Sequence, residues 1–362
     1  AEDKDKLINW VEEYLQDYGL NKNQWQDQFL ARLHRLTKIL HIDQIISYLP
    51  DECDRLILIP HRFLHLLPLH ALPLTDPQYC LLDRFPRGVS YAPSCQLLQL
   101  SQNRNRTDFK DFFAIQNPSK DLSFTDIEVE TIRRQFQPND DVLVNEDAKK
   151  EALDNDRFRN AHCIHFSCHG YFDFESPLDS AVILADATNY AMETLEDNSY
   201  EIYSREGTKI NLEKCLTLRE IFDLDLRQCR LVTLSACETG LIDFTSQSDE
   251  YIGLPSGFLV AGSSSVVSSL WAVNDFSTSL LMIKFYDNLQ HQASLATSLC
   301  QAQLWLRDAT IAELEHWIDQ RQLHLNPTLK MNLRRRFHKL QDNFKPFQEP
   351  FYWAAFCLVG QA

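Results

Sequence analysis

The chain has 362 residues, of which 44% are hydrophobic and 24% charged, a composition typical of one large or two modest globular domains. Its formal net charge of -16 argues against a nucleic-acid partner, because neutralising phosphates requires a concentrated basic face, and favours a basic partner. No apolar run approaches the roughly 20 residues of a membrane span, and no signal-peptide pattern opens the chain, so we expect a cytoplasmic protein without a membrane partner.

The ten cysteines are scattered along the chain. Cys163, Cys215 and Cys357 lie inside apolar runs, which favours buried, reduced thiols over a disulfide framework. A reducing compartment would also keep a catalytic thiol usable. The first residue is not methionine, so we expect the chain to be part of a longer protein.

Three parts are predicted in chain order. Residues 1–54 form a helical N-terminal segment, with apolar residues at helical spacing. Residues 55–108 form a β-rich subdomain that ends in the polar run 101–108, which we interpret as a linker. Residues 109–362 form the third and largest part, the catalytic domain.

The third part alternates strands and helices, which is typical of an α/β fold with a mostly parallel sheet flanked by helices. Strands are predicted near 112–116, 141–145, 162–167, 231–235, 265–270 and 352–360, after earlier ones at 56–60 and 87–93. Helices are predicted near 125–136, 147–155, 216–225 and 276–290.

Two apolar strands end in side chains that can do chemistry. The run RLVTLSACETG at 230–240 delivers Cys237, and AHCIHFSCHG at 161–170 delivers His169. Open α/β sheets place their chemistry at the carboxyl ends of strands. The pair predicts a cysteine nucleophile with an acid/base partner.

Histidine- and cysteine-rich runs raise the alternative of a metal site. One run contains His61, His65 and His70, without carboxylate or cysteine ligands at a suitable spacing. In the other run, strand alternation directs Cys163 and His165 to one side and Cys168 to the opposite side. We therefore expect neither a metal nor another cofactor.

Six spaced blocks give the chain a wider resemblance. They are LILIPHRFLHLLPLHAL at 56–72, HFSCHGYFD at 165–173, LSACETG at 234–240, the run from 249 to 275, AxxLCxAQ at 296–303 and PFYWAAFCLVG at 350–360. Together they resemble the CHAT family, caspase-like domains of bacteria and archaea that often follow tetratricopeptide repeats and group with caspases and separases.

This resemblance implies a caspase-type fold with His169 and Cys237 as the catalytic dyad. The backbone N–H groups of Gly170 and Cys237 would then bind the oxyanion. It also implies a protein substrate and upstream tetratricopeptide repeats or a regulatory partner.

An acidic segment follows the dyad histidine and contains Asp173, Glu175 and Asp179. These carboxylates would favour a basic residue before the scissile bond, and the alternative is a solvated loop. The surrounding stretch 173–214 is predicted to be an insertion beside the active centre without a rigid core of its own. Ordering it through a partner would be a natural switch.

Two classes of function follow from these residues. The first is a regulated cysteine endopeptidase that cleaves a protein partner. The second is a caspase-like scaffold whose dyad is idle and which recruits a partner. The presence of both His169 and Cys237 favours the peptidase, while a small-molecule thiol hydrolase fits the six blocks less well.

Overall fold

An eight-stranded sheet forms the centre of the protein in a computed structural model of the chain. The structure describes residues 2–76, 78–104, 106, 108–173, 175–188, 201–203, 209–236, 252–291, 294–323, 331, 337 and 340–361. Cys237 lies outside the described residues.

The strands, in chain order, are β1 (Leu56–Leu58), β2 (Val89–Tyr91), β3 (Phe112–Gln116), β4 (Asp140–Val144), β5 (Cys163–Ser167), β6 (Gly170–Tyr171), β7 (Ala181–Val182), β8 (Glu201–Tyr203), β9 (Lys209–Asn211), β10 (Leu216–Thr217), β11 (Leu231–Ser235), β12 (Ser265–Ser269) and β13 (Phe356–Gly360). The central sheet has the order β1-β2-β13-β12-β11-β5-β3-β4. All its neighbours pair parallel except β12 and β13. The predicted mostly parallel α/β sheet is confirmed.

The helices are α1 (Glu2–Leu20), α2 (Lys22–Asp27), α3 (Phe29–Ile39), α4 (Ile42–Ser47), α5 (Leu81–Arg84), α6 (Cys95–Gln102), α7 (Thr125–Arg133), α8 (Asp156–Asn160), α9 (Leu218–Ile221), α10 (Leu254–Ala261), α11 (Asp275–His291), α12 (Leu295–Asp308), α13 (Ile311–Gln320) and α14 (Pro350–Trp353). Within the described ranges, no helix is both long and apolar enough to cross a bilayer.

Helices cover both faces of the sheet, and β5 shows how its side chains divide between them. Phe166 packs against Phe258 of α10, with ring centroids 5.7 Å apart. The preceding residue, His165, points to the other face, where it meets Tyr286 of α11 and Glu128 of α7. Because both faces are covered, β5 is buried along its whole length.

The first helices pack on the sheet through an aromatic cluster. Trp25 and Phe29 lie 5.8 Å and 4.9 Å from Trp271, centroid to centroid. The Ala272 N–H donates to the hydroxyl of Tyr18 at 3.0 Å. Strands β1 and β2 belong to the same sheet as the later strands, and the division into three parts stays a prediction.

The predicted linker at 101–108 is bound to the rest of the fold. Its Arg104 donates to the carbonyls of Leu259 and Ser263 at 2.6 Å. Its Arg106 donates to the carbonyls of Cys229 and Gly262. Two guanidinium groups therefore satisfy carbonyls at the end of α10, in the turn that follows it and before β11.

Some predicted elements are wrong in extent. The helix expected over 147–155 is instead two 3-10 turns, Asn145–Asp147 and Lys150–Leu153. The next helix, α8, begins only after Asn155, whose side chain caps it by accepting the Phe158 N–H at 2.8 Å. The helix expected over 216–225 shrinks to α9, since its first residues pair with β7. The last strand is preceded by α14.

The insertion contains a core of its own, which contradicts the expectation of none. Five of its residues and the following Cys215 form a small buried cluster separate from the main core: Ala181, Ile183, Ala187, Ile210, Leu212 and Cys215. Strands β6, β7 and β10 form a three-stranded sheet beside it, and β8 pairs with β9. The described part of the insertion is therefore packed rather than only polar.

Candidate active site

His169 follows the carboxyl end of β5 by two residues. Its backbone carbonyl accepts a hydrogen bond from the Ile183 N–H at 2.9 Å, and Gly170 after it opens β6. The backbone of His169 is thus fixed between β5 before it and β6 after it. The imidazole is 36% exposed, so a substrate can reach it.

The strand leading to Cys237 pairs in register with β5. In this pairing Ser235 is the partner of Ser167. Ala236 follows and is the last residue that the structure describes before position 252. The buried Ser269 hydroxyl donates to the Ala236 carbonyl at 2.5 Å. His169 comes two residues after Ser167, and Cys237 comes two residues after Ser235 in the sequence, beyond the described part of this segment. Because β5 and β11 pair parallel, their carboxyl ends lie at the same edge of the sheet.

Asp121 contacts His169 and was missed by the sequence reasoning. His169 Nε2 lies 2.9 Å from Asp121 Oδ1 and 3.1 Å from Oδ2. Partial burial opposes ionisation of Asp121, but the Ser119 hydroxyl and the nearby His169 ring lower the pKa of its carboxyl. The available signal was its place shortly after β3, whose carboxyl end lies at the same edge as that of β5.

The loop that carries Asp121 is fixed by Asn117. The Asn117 amide donates to the Leu122 carbonyl at 3.0 Å and accepts from the Leu122 N–H at 3.1 Å. Its own backbone N–H donates to the Ser167 carbonyl at 2.9 Å. Asn117 has φ of 50°, a left-handed conformation that asparagine tolerates better than most residues.

Asp275, at the start of α11, adds negative charge near the same place. Its Oδ2 accepts the Ser123 N–H at 3.1 Å. Burial raises the pKa of Asp275, the Glu128 carboxylate raises it further, and the Ser123 N–H and His169 act in the opposite direction. The segment from Asp121 to Ser123 is therefore tied to α11 beside the histidine.

A buried polar network lies beneath this edge. His165 Nε2 is 2.8 Å from Glu128 Oε1, and His165 Nδ1 is 3.2 Å from the Tyr286 hydroxyl. That hydroxyl also lies 2.9 Å from Thr233 Oγ1 and 3.3 Å from Cys163 Sγ. Burial raises the pKa of Cys163, so this thiol is structural rather than reactive.

The strands also orient the N–H of Gly170. Gly170 is the register partner of Val182, and the hydrogen bond from Ile183 to His169 flanks that pair. Gly170 and Val182 are therefore a non-hydrogen-bonded pair, in which each N–H points away from the partner strand. Since β6 is the outer strand of its small sheet, the Gly170 N–H faces the open edge.

A model of the CHAT domain family matches residues 30–361. The chain belongs to the CHAT domain family. The predicted resemblance is confirmed over nearly the whole sequence. No curated protein matches the chain.

Solved structures show the fold of this CHAT domain. Two crystal structures of the Saccharomyces cerevisiae separase-securin complex match at 14% identity, with TM-scores of 0.51 and 0.52. The match covers 90% of this chain and only 17% of that chain, and at this identity it shows the shared caspase-like fold alone. The Arg-specific cysteine proteinase gingipain R matches at 9% identity over 91% of this chain and 67% of that one. Its TM-score is 0.48.

The acidic residues after His169 differ in their hydrogen-bond partners and exposure in this CHAT domain. Asp173 accepts the backbone N–H groups of Glu175 and Ser176 at 2.8 Å and 3.0 Å, so it caps its own loop. Asp179 accepts the Ser176 hydroxyl at 2.5 Å and lies 3.5 Å from Arg219. Glu175 is exposed.

Metal ligation has little support from these contacts. Cys163 and His165 face the network under the sheet, on the side that strand alternation predicts. His70 is buried against the hydroxyl of Tyr91, 2.7 Å from its Nδ1. Within the described ranges, no three His, Cys, Asp or Glu side chains are grouped so that they could hold a metal ion.

Proposed function

We propose that this CHAT domain is a cysteine endopeptidase that cleaves a protein partner, with Cys237 as nucleophile and His169 as proton donor and acceptor. The observation that carries the proposal is the register of β5 and β11, in which Ser167 and Ser235 are partners. The dyad residues each follow these positions by two. A thiol and an imidazole at one sheet edge are the minimal set for acyl transfer through sulfur.

The reaction follows from these two groups. His169 takes the proton of Cys237, and the thiolate adds to the scissile carbonyl carbon while the C=O electron pair moves to oxygen. The Gly170 N–H, which faces the open edge, and the Cys237 N–H stabilise that oxygen. The C–N bond then breaks as His169 delivers its proton to the amine, and water hydrolyses the thioester by the reverse sequence.

The test is covalent labelling by an electrophilic peptide probe, followed by cleavage assays on a peptide library. Cys237→Ala and His169→Ala should each lower turnover by at least about 100-fold without changing the unfolding midpoint, because both residues lie beyond strand ends. Cys95→Ala removes an exposed free thiol elsewhere and should leave labelling intact. Labelling that survives in Cys237→Ala contradicts the assignment, and a wild type that neither labels nor cleaves favours the idle scaffold.

We extend the proposal to a basic residue before the scissile bond. Asp173 already holds N–H groups of its own loop and Asp179 holds Ser176 and Arg219, so the exposed Glu175 is the acidic group best able to meet a substrate cation. One well-made charge-assisted contact corresponds to about 1.5–3 kcal/mol. Glu175→Gln should reduce the preference for Arg or Lys over Leu peptides, and equal rates for all three in the wild type would contradict it.

Regulation by an upstream region or a partner is part of the same proposal. The region in question would be the tetratricopeptide repeats that often precede domains of this family, and the alternative is a separate regulatory partner. Hydrogen exchange in the insertion at 173–214 and in the polar segment 241–256 after Cys237, with and without that region, measures whether a partner protects the residues outside the insertion's small core, and equal protection contradicts the idea.

A reducing, cytoplasmic setting belongs to the proposal as well. Eight of the described cysteines are free thiols: Cys53, Cys80, Cys95, Cys163, Cys215, Cys229, Cys300 and Cys357. Free thiols on this scale fit a compartment that keeps cysteine reduced, which Cys237 would need.

A further inference from the structure

We propose that Asp121 is the positioning residue of the dyad: its carboxylate holds His169 by Nε2, so that Nδ1 is the nitrogen that exchanges protons with Cys237 and the substrate. This inference rests on the proposed peptidase function and adds a third side chain to it. It also assigns the tautomer of the histidine.

The contact itself fixes the ring. A carboxylate can only accept, so the neutral imidazole carries its proton on Nε2 and presents the Nδ1 lone pair to the site. Both Asp121 oxygens lie within hydrogen-bond distance of Nε2, at 2.9 Å and 3.1 Å. A ring held in this way has one orientation and one tautomer, which is what a base adjoining a thiol requires.

The loop around Asp121 is built to keep the carboxylate in place. The paired hydrogen bonds between Asn117 and Leu122 close the loop around it, and the Asn117 N–H ties that loop to the end of β5. On the far side, Asp275 of α11 holds the Ser123 N–H. Anchors on two elements of the fold therefore locate a side chain that is itself 62% exposed.

The surroundings of His169 leave Asp121 as its direct acidic partner among the described residues. On the other flank of His169, Val182 at the end of β7 and Ile183 directly after it are apolar. Asp275 lies nearby but uses Oδ2 on the backbone of Ser123. The role proposed for Asp121 is thus one of contact, not of general negative charge.

The first readout is spectroscopic and independent of activity. In the full chain with 15N-labelled histidine, at a pH where imidazoles are neutral, the His169 signal, identified with His169→Gln, should show the proton on Nε2. Asp121→Ala should convert this signal to a mixture of tautomers. Asp225→Asn is the matched control, since Asp225 is an exposed, Arg-paired carboxylate that precedes β11 rather than following it.

The second readout is kinetic and uses the best-cleaved library peptide. Asp121→Asn and Asp121→Ala should lower kcat by roughly 10- to 100-fold with KM within about twofold, because proton transfer, not binding, loses its geometry. Asp225→Asn should change neither constant. Unfolding midpoints of all variants should stay within the range of the control.

The outcomes separate this proposal from the peptidase assignment. A wild-type Nδ1–H tautomer, or a tautomer unchanged in Asp121→Ala, overturns the positioning role. A raised KM with unchanged kcat also overturns it, since Asp121 would then bind substrate. If the tautomer result holds while the wild type neither labels nor cleaves, the peptidase function fails and the positioning contact stands.

Discussion

Replacing Tyr286 by phenylalanine tests whether the buried network stabilises the sheet under the candidate site. The substitution removes one oxygen and keeps the ring, which packs edge-on against Phe112 at 6.3 Å and Phe285 at 5.4 Å. The lost hydroxyl joins Thr233 on β11 to His165 on β5, the two strands that precede the dyad residues. Burial raises the pKa of Tyr286 well above its usual value, so the hydroxyl is neutral.

The size of the effect follows from what the hydroxyl leaves behind. His165 Nδ1 and Thr233 Oγ1 are fully buried and would each lose a partner. An orphaned buried polar group costs about 1–3 kcal/mol. A threonine hydroxyl can rotate towards a strand carbonyl, so we expect a loss of about 2–4 kcal/mol in the free energy of unfolding, rather than the full sum.

Urea unfolding followed by tryptophan fluorescence measures this loss as a shift of the midpoint at constant slope. Tyr79→Phe is the control, because Tyr79 is 52% exposed. A double-mutant cycle with Thr233→Val should give a coupling of about 1 kcal/mol. The reason is that valine lacks the Thr233 hydroxyl, which Tyr286→Phe would leave buried without its partner. A loss no larger than that of Tyr79→Phe, or zero coupling, would refute the reasoning.

Two further predictions concern other parts of the fold. Arg307 forms a two-pronged pair with Asp83, at 2.7 Å and 2.9 Å, and we expect Arg307→Met to cost about 2–4 kcal/mol of unfolding free energy at neutral pH. Burial alone would raise the pKa of Asp83, but Arg307 and a backbone N–H lower it. The stabilisation by this pair is therefore present above about pH 4 and is lost as the pH falls through the pKa of Asp83 in the folded protein. Denaturation across that range should show the unfolding free energies of the wild type and the variant converging. Gly88 has φ of 96°, and a Cβ there would lie 2.4 Å from the Ala296 carbonyl oxygen. Gly88→Ala should therefore lower the free energy of unfolding by at least about 2 kcal/mol. In the same assay, Gly19→Ala, at a helix position with open space around it, should raise the free energy of unfolding by about 0.5–1 kcal/mol.

The strands were predictable because of their burial. Both faces of β5, β11 and β12 are covered, so each reads as a continuous apolar or small-residue run and stands out from its flanks. The ends of β5 and β11 also mark the histidine and the cysteine, since the apolar pattern stops there. What could be predicted of the site was therefore the part that follows a strand directly.

The partner of His169 could not be predicted in this way. Asp121 stands 48 residues before His169 and comes after a loop in which Asn117 and Lys120 adopt positive φ. Its meeting with the histidine depends on that loop conformation, which no apolar pattern encodes. The prediction of a helix over 147–155 was wrong for a similar reason, since local backbone conformation decided the outcome. The sequence allows a helix there, but the backbone forms 3-10 turns before the Asn155 cap.

A comparison of His165, within β5, with His169, beyond its end, supports His169 as the proposed proton donor. His165 has both ring nitrogens engaged, by Glu128 and by Tyr286, and is fully buried, so a proton placed on it could reach no substrate. His169 comes four residues later, after the strand has ended, and is 36% exposed. Asp121 engages its Nε2, and Nδ1 is the nitrogen to which we assign the proposed proton exchange. The fold thus uses His165 to join α7 and α11 to the sheet and leaves His169 accessible for the role that we propose.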